Sequence, residues 1–79
     1  MNTNKVLKLI QEALDQKEPV TLNDSSETLE QWDSIAQLQI LMLIDQETGG
    51  KAANIPELAI ALSVQTIIDT LKDHGLFDD

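Results

Sequence analysis

Aliphatic residues recur at three- and four-residue intervals in three stretches of this chain, and nowhere do they alternate one by one with polar residues. That pattern matches a 3.6-residue side-chain repeat and not the two-residue repeat of a strand, so the chain reads as all-helical. Residues 3–16 form the first stretch. Val6, Ile10 and Ala13 make an apolar stripe, widened by Leu7, Leu9 and Leu14, with Lys8, Gln11, Glu12 and Asp15 opposite. Thr3 or Asn4 is placed to cap its start, and Pro19 bars continuation soon after Lys17. Residues 34–47 form the second and strongest stretch, stopped by Gly49 and Gly50. Residues 64–74 form the last, with Val64, Ile67, Ile68 and Leu71 as its buried stripe, Ser63 as cap and Gly75 as terminator. Residues 55–62 suit a short helix with Pro56 at its first position. The expected fold is all-α, a small four-helix bundle of three longer helices and one short third helix.

Residues 17–33 are a long connection, and loops of this length in small domains are often functional. Val20, Leu22, Leu29 and Trp32 are predicted to pin it to the core, with a short helical turn around Ser26–Glu30. Trp32 reads as a hydrophobic anchor that orients Asp33 and Ser34 after it. A length of 79 residues fits one domain, 1–79. Its only aromatics are Trp32 and Phe77, so the core must be aliphatic. The absence of cysteine removes disulfides, thiolate metal sites and thiol nucleophiles.

Charge narrows the partners. Five lysines face fourteen acids, for a net charge of −9. Such a surface repels nucleic acid and anionic membranes, because both are bound by cationic neutralisation of phosphates. Proteins with basic patches are its natural partners. Residues 1–17 hold three lysines against two acids, whereas residues 18–79 hold two lysines against twelve. Whatever uses the acidity lies after the first helix. No apolar signal-peptide core and no membrane-length stretch is present, so the expectation is a cytoplasmic monomer.

The 34–47 helix carries the functional information. At about 100° per residue, Ile35, Leu38, Leu41 and Met42 fall on one side and Ile40, Leu43 and Ile44 on roughly the other. In so small a domain full burial of a helix is difficult, so one face is expected in the core and the other partly exposed. Ser34 shares the side of Leu38 and Leu41. It fits the capping box Ser34-Ile35-Ala36-Gln37, while Asp33 is an equally good cap that would place Ser34 at the first helical position. A helix N-terminus offers free N–H groups and the positive end of the dipole, so a phosphate esterified to a serine there would be held favourably.

The run Trp32-Asp33-Ser34-Ile35, followed by a helix rich in Leu, Ile and Met, resembles the Asp-Ser-hydrophobic signature of acyl and peptidyl carrier proteins. The resemblance extends over nearly the whole chain. It takes in the length, the amphipathic first helix, the long first loop and the glycine turn after the second helix. It also takes in the proline-started third helix and the final helix opening as Ser63-Val64-Gln65-Thr66-Ile67-Ile68. It implies a carrier that catalyses nothing. Ser34 would receive a 4′-phosphopantetheine arm from coenzyme A through a separate phosphopantetheinyl transferase. The terminal thiol of the arm would hold an acyl or aminoacyl group as a thioester, raising its effective concentration at successive loading and transferring enzymes. The same resemblance assigns Asp33 to positioning the transferase, Ile35, Leu38 and Met42 to the partner-facing side with Asp45 near its far end, and Ile40 and Ile44 to the core.

The sequence departs from the fatty-acid-synthesis members of that family. Ala36, Gln37 and Gln39 stand where those members usually carry acids, and Trp32 stands where a small or aliphatic residue is common. These differences point to a dedicated carrier in a specialised biosynthetic pathway. An unmodified acidic helical adaptor, docking on basic proteins through the second helix, is the competing expectation. Catalysis and metal binding find little support. His74 is the single histidine and sits where its cationic form suits a helix C-terminus. The context Trp-Asp-Ser-Ile-Ala lacks the glycines of a hydrolase elbow. The carboxylates, including Asp45/Glu47 and Asp78/Asp79, lack EF-hand spacing and read as solvated surface.

Overall fold

Asn2 opens the first helix: its backbone is extended and its side-chain oxygen accepts the Lys5 N–H at 2.9 Å. The cap thus lies one residue before Thr3, in line with the stronger capping preference of asparagine. In the computed structural model, which describes residues 1–78, this helix (α1) spans Thr3–Leu14. Asp15 closes it at φ 51°, in the left-handed region, and the N–H groups of Asp15 and Gln16 fold back onto the carbonyls of Glu12 and Gln11. The second helix (α2) spans Ser34–Glu47. Gly49 ends it at φ 66°, a conformation costly for side chains with a Cβ, and the Gly50 N–H reaches the Asp45 carbonyl at 2.8 Å. The third helix (α3) spans Val64–Asp73, with Ser63 Oγ accepting the Thr66 N–H at 3.1 Å. Gly75 terminates it as expected, at φ 69°, with the Leu76 N–H on the Leu71 carbonyl.

The expected short third helix over 55–62 is not an α-helix. Two 3-10 segments, Lys51–Asn54 and Pro56–Ile60, occupy this region, so the bundle has three α-helices among the described residues. Side chains of α2 supply part of its bonding. Asp45 Oδ1 accepts the Ala53 N–H at 3.1 Å, and the Gln37 side-chain amide donates to the Leu58 and Ala61 carbonyls, each at 3.1 Å. A short run bonded from outside gains little from relaxing the tighter 3-10 turn into i→i−4 geometry.

α2 packs on α1 and on both 3-10 segments, while α3 packs on α1 and on Pro56–Ile60. The core is aliphatic as expected: Val6, Ile10, Ile40, Ile44, Leu58, Val64, Ile67 and Leu71 are fully buried, and Trp32 is the aromatic among the buried core residues. No helix of the described residues is long and apolar enough to cross a membrane.

The 17–33 connection lies on this core through Val20 and Trp32, with Leu29 half-buried. Leu22 does not join them. It is exposed, because a turn held by Asp24 throws it to the tip. The Asp24 carboxylate accepts the Thr21 N–H at 2.9 Å and the Thr21 and Thr28 hydroxyls at 3.1 and 3.0 Å. One helical turn follows, with the Leu29 N–H on the Ser25 carbonyl. Ser25 then pairs with Ser63 in an isolated antiparallel bridge, flanked by Ser26 N–H to Leu62 O at 2.9 Å and Val64 N–H to Asp24 O at 3.1 Å. The long loop is therefore stitched to the start of α3.

The Thr21 N–H holds the Asp24 carboxyl below the usual aspartate range; burial opposes it, and the Thr28 and Thr21 hydroxyls add to the lowering. The folded carboxyl is thus the stronger acid. Its contribution is present above the unfolded aspartate value of about 3.9 and is lost as pH falls through the lower folded value. Asp24→Asn keeps the shape and removes the titration. The stability gap between wild type and Asp24→Asn, read by urea denaturation, is expected to be constant at neutral pH and to narrow below about pH 4. A gap that does not narrow on acidification would remove Asp24 as the source.

Candidate functional site

Two cap candidates compete for the start of α2, and Asp33 takes the position. Its backbone is extended, its Oδ1 accepts the Ala36 N–H at 2.9 Å and its carbonyl accepts the Gln37 N–H at 2.9 Å. Ser34 is therefore the first helical residue and not the cap. Its side chain is exposed, and its hydroxyl makes no hydrogen bond among the described residues. The first helical N–H groups have no intrahelical carbonyl to reach, and with Ala36 and Gln37 satisfied those of Ser34 and Ile35 remain open. An exposed hydroxyl thus stands beside two free N–H donors at the positive end of a 14-residue helix.

Ser34 lines an open groove of about 420 Å³ whose other walls are Ser26, Trp32, Asp33, Gln37, Ala59 and Leu62. Trp32 is buried to 3% exposure and acts as the predicted anchor. A buried indole needs an acceptor, and Trp32 Nε1–H donates to Gln37 Oε1 at 2.7 Å. Gln37 is the residue that sequence reasoning missed. It is the buried polar side chain of the core, 7% exposed, and its amide spans the floor of the groove to the Leu58 and Ala61 carbonyls. A signal for it exists: position 37 lies three residues before Ile40 and seven before Ile44, on their buried stripe, five residues after a tryptophan in need of an acceptor.

Beyond Ser34, α2 divides into two faces. Ile40 and Ile44 are fully buried, whereas Ile35, Leu38 and Met42 are 73, 59 and 51% exposed. Leu41 and Leu43 lie half-buried at the margins between the two faces. A second, apolar groove of about 310 Å³ continues from Met42 over Leu41, Asp45, Ala52, Ala53, Ile55, Pro56 and Ala59. Ala59 lines both grooves, so the Ser34 end and the Met42 end share one surface. Ile60 and Leu62 add exposed apolar area that the helix pattern alone does not reveal. Asp45 is half-buried and its carboxylate is engaged with Ala53.

The remaining titratable groups lie elsewhere. His74 caps the end of α3, with Nε2 at 3.7 Å from Glu57 Oε2. Glu47 pairs with Lys5 at 3.2 Å, and Asp78 pairs with the Met1 amino group at 3.3 Å, while Asp79 lies outside the described residues. No group of three or more His, Cys, Asp or Glu among the described residues is arranged to hold a metal ion. Comparison with protein-family models, with curated proteins and with solved structures finds no match to this chain.

Proposed function

We propose that this chain is an acyl or aminoacyl carrier domain whose 4′-phosphopantetheine arm is attached at Ser34. The observation that carries this reading is the Ser34 hydroxyl: exposed, without a hydrogen bond among the described residues, and set beside the open N–H groups of Ser34 and Ile35. A phosphodiester on that oxygen meets donors and a favourable dipole, so the residues present fit the group. In this reading Pro56–Ile60 is the counterpart of the short third helix in a four-helix carrier fold, and the setting is cytoplasmic.

The chain's own contribution is presentation. Asp33 caps α2 and fixes the direction in which Ser34 projects. Coenzyme A is the donor: the Ser34 Oγ–P bond forms as a diphosphate P–O bond breaks, adenosine 3′,5′-bisphosphate leaves, and the hydroxyl proton passes to a base of the transferase. The arm supplies a terminal thiol that this cysteine-free chain lacks, and with it a thioester for the cargo. Ile35, Leu38 and Met42 offer the transferase and the cargo enzymes an apolar contact surface, and the net charge of −9 favours partners with basic rims.

The test is an intact mass after incubating the apo chain with coenzyme A, Mg²⁺ and a promiscuous phosphopantetheinyl transferase. One added phosphopantetheine is expected on the wild type and none on Ser34→Ala. An unchanged wild-type mass, beside a control carrier that is loaded, would defeat the carrier reading. It would leave the acidic adaptor, which uses the same exposed face of α2 without modification.

A further inference from the structure

One side chain joins the two walls of the Ser34 groove. Trp32 and Asp33 form one wall and Ala59 and Leu62 the other, and Gln37 lies between them. Its Oε1 accepts from Trp32 Nε1 at 2.7 Å, and its Nε2 donates to Leu58 O and Ala61 O at 3.1 Å each. The orientation of the amide follows from its partners, since an indole N–H only donates and a carbonyl only accepts. Both walls need the tie. The first is the end of the long 15–33 connection between α1 and α2, and the second is the Pro56–Ile60 3-10 run, a geometry with poor internal hydrogen bonds, with Leu62 just after it. All three bonds are buried, where a hydrogen bond is electrostatically stronger than in water.

We infer that Gln37 is a positioning residue for the modification of Ser34: by latching Trp32 to Leu58 and Ala61 it holds the groove in the shape that a modifying enzyme docks on. The inference rests on the carrier reading above. Gln37 sits three residues after Ser34 and is buried beneath the groove, and its amide bonds to Trp32, Leu58 and Ala61 rather than to the Ser34 hydroxyl. Its effect passes through the register of the two walls. Loss of the latch leaves the hydroxyl chemically intact but lets the 58–62 wall move relative to it. The loss therefore falls on docking more than on the transfer step.

Gln37→Met keeps side-chain length and removes all three bonds. Trp32→Phe removes the indole donor and keeps an aromatic ring, smaller than the indole, in its place. Ile67→Val, in the core and away from the groove, serves as a control for lost stability. In a loading assay with coenzyme A and a promiscuous transferase, Gln37→Met is expected to lower kcat/KM about tenfold, chiefly through KM, with Trp32→Phe intermediate and Ile67→Val near wild type. A second readout needs no loading. Amide exchange at residues 58–61 is expected to speed up in both groove variants, and Trp32 emission to shift to the red in Gln37→Met. Folded Gln37→Met that loads like Ile67→Val overturns the inference while the carrier reading stands. Slow loading with unchanged exchange at 58–61 also overturns it. A wild type that takes no phosphopantetheine overturns the carrier reading and the inference with it. Should Gln37→Met not fold, Trp32→Phe decides: slower loading than Ile67→Val supports the latch, and equal loading removes it.

Discussion

Replacing Ile40 by alanine is expected to remove much of the stability of this protein, while replacing Leu38, two positions earlier, leaves the melting midpoint nearly unchanged. Both are large aliphatic residues in the middle of α2, so composition and helix propensity do not separate them. Burial does: Ile40 is 0% exposed and Leu38 is 59% exposed. Truncating a buried isoleucine costs about 2–5 kcal/mol, through lost transfer energy and the cavity left behind. A chain of 79 residues has only about 4–12 kcal/mol in total. In a domain of this size that loss lowers Tm by roughly 8–40 °C. Surface changes such as Leu38→Ala stay within about 0.5 kcal/mol. Thermal unfolding followed by far-ultraviolet circular dichroism measures both. Equal losses at the two positions would mean that α2 is packed on both sides and offers no face to a partner. Carrier and adaptor readings would then fail together.

Helix ends are legible in this chain because they are set by local chemistry. Asp33, Ser63, Pro56, Gly49 and Gly75 each act within one turn of their own position, and each appears where its side chain or its freedom at positive φ places it. The two-sided character of α2 is legible for a related reason, since its apolar residues exceed what one stripe can hold. What the sequence hides is long-range. Pro56–Ile60 has the apolar content of a helix, but its Leu58 carbonyl, with that of Ala61 just after it, is held by a residue 21 to 24 positions earlier, and no local rule anticipates that. Leu22 has the composition of an anchor, but the Asp24 turn decides which way it points. The 51–54 segment is likewise shaped by Asp45, eight residues before the N–H it accepts.

The candidate site divides in the same way. Ser34, Ile35, Leu38 and Met42 are legible because a cap position and a helical period suffice to place them together. The floor of the groove is not legible by those rules, since a glutamine in a helix ordinarily faces water. Only the pairing of a buried indole with a polar residue on the Ile40–Ile44 stripe exposes Gln37, and that requires both to be considered as members of one core. Asp45 shows the converse. Its position suits a partner contact, but its carboxylate is engaged in holding the turn after α2.

Trp32→Ala is expected to be among the most damaging single changes in the chain, because two losses coincide. The ring is 3% exposed in a core otherwise built of aliphatic side chains, so its removal opens a cavity that small neighbours cannot fill. Truncations of this kind cost about 3–5 kcal/mol. The indole N–H is also the donor to Gln37 Oε1, which is left inside without a partner. An unsatisfied buried acceptor adds about 1–3 kcal/mol. Together these approach the stability available to a domain of this length, so the variant is expected to lose its cooperative thermal transition or to melt at least about 12 °C lower. Trp32→Phe reduces the first loss and keeps the second, because a phenyl ring fills most of the site while the donor is gone. Its expected deficit in urea denaturation is about 1–3 kcal/mol. If Trp32→Ala instead unfolds with an unchanged midpoint, the loop before Ser34 is not anchored by this residue. Asp33 and Ser34 would then owe their placement to α2 alone, and the groove would need another support.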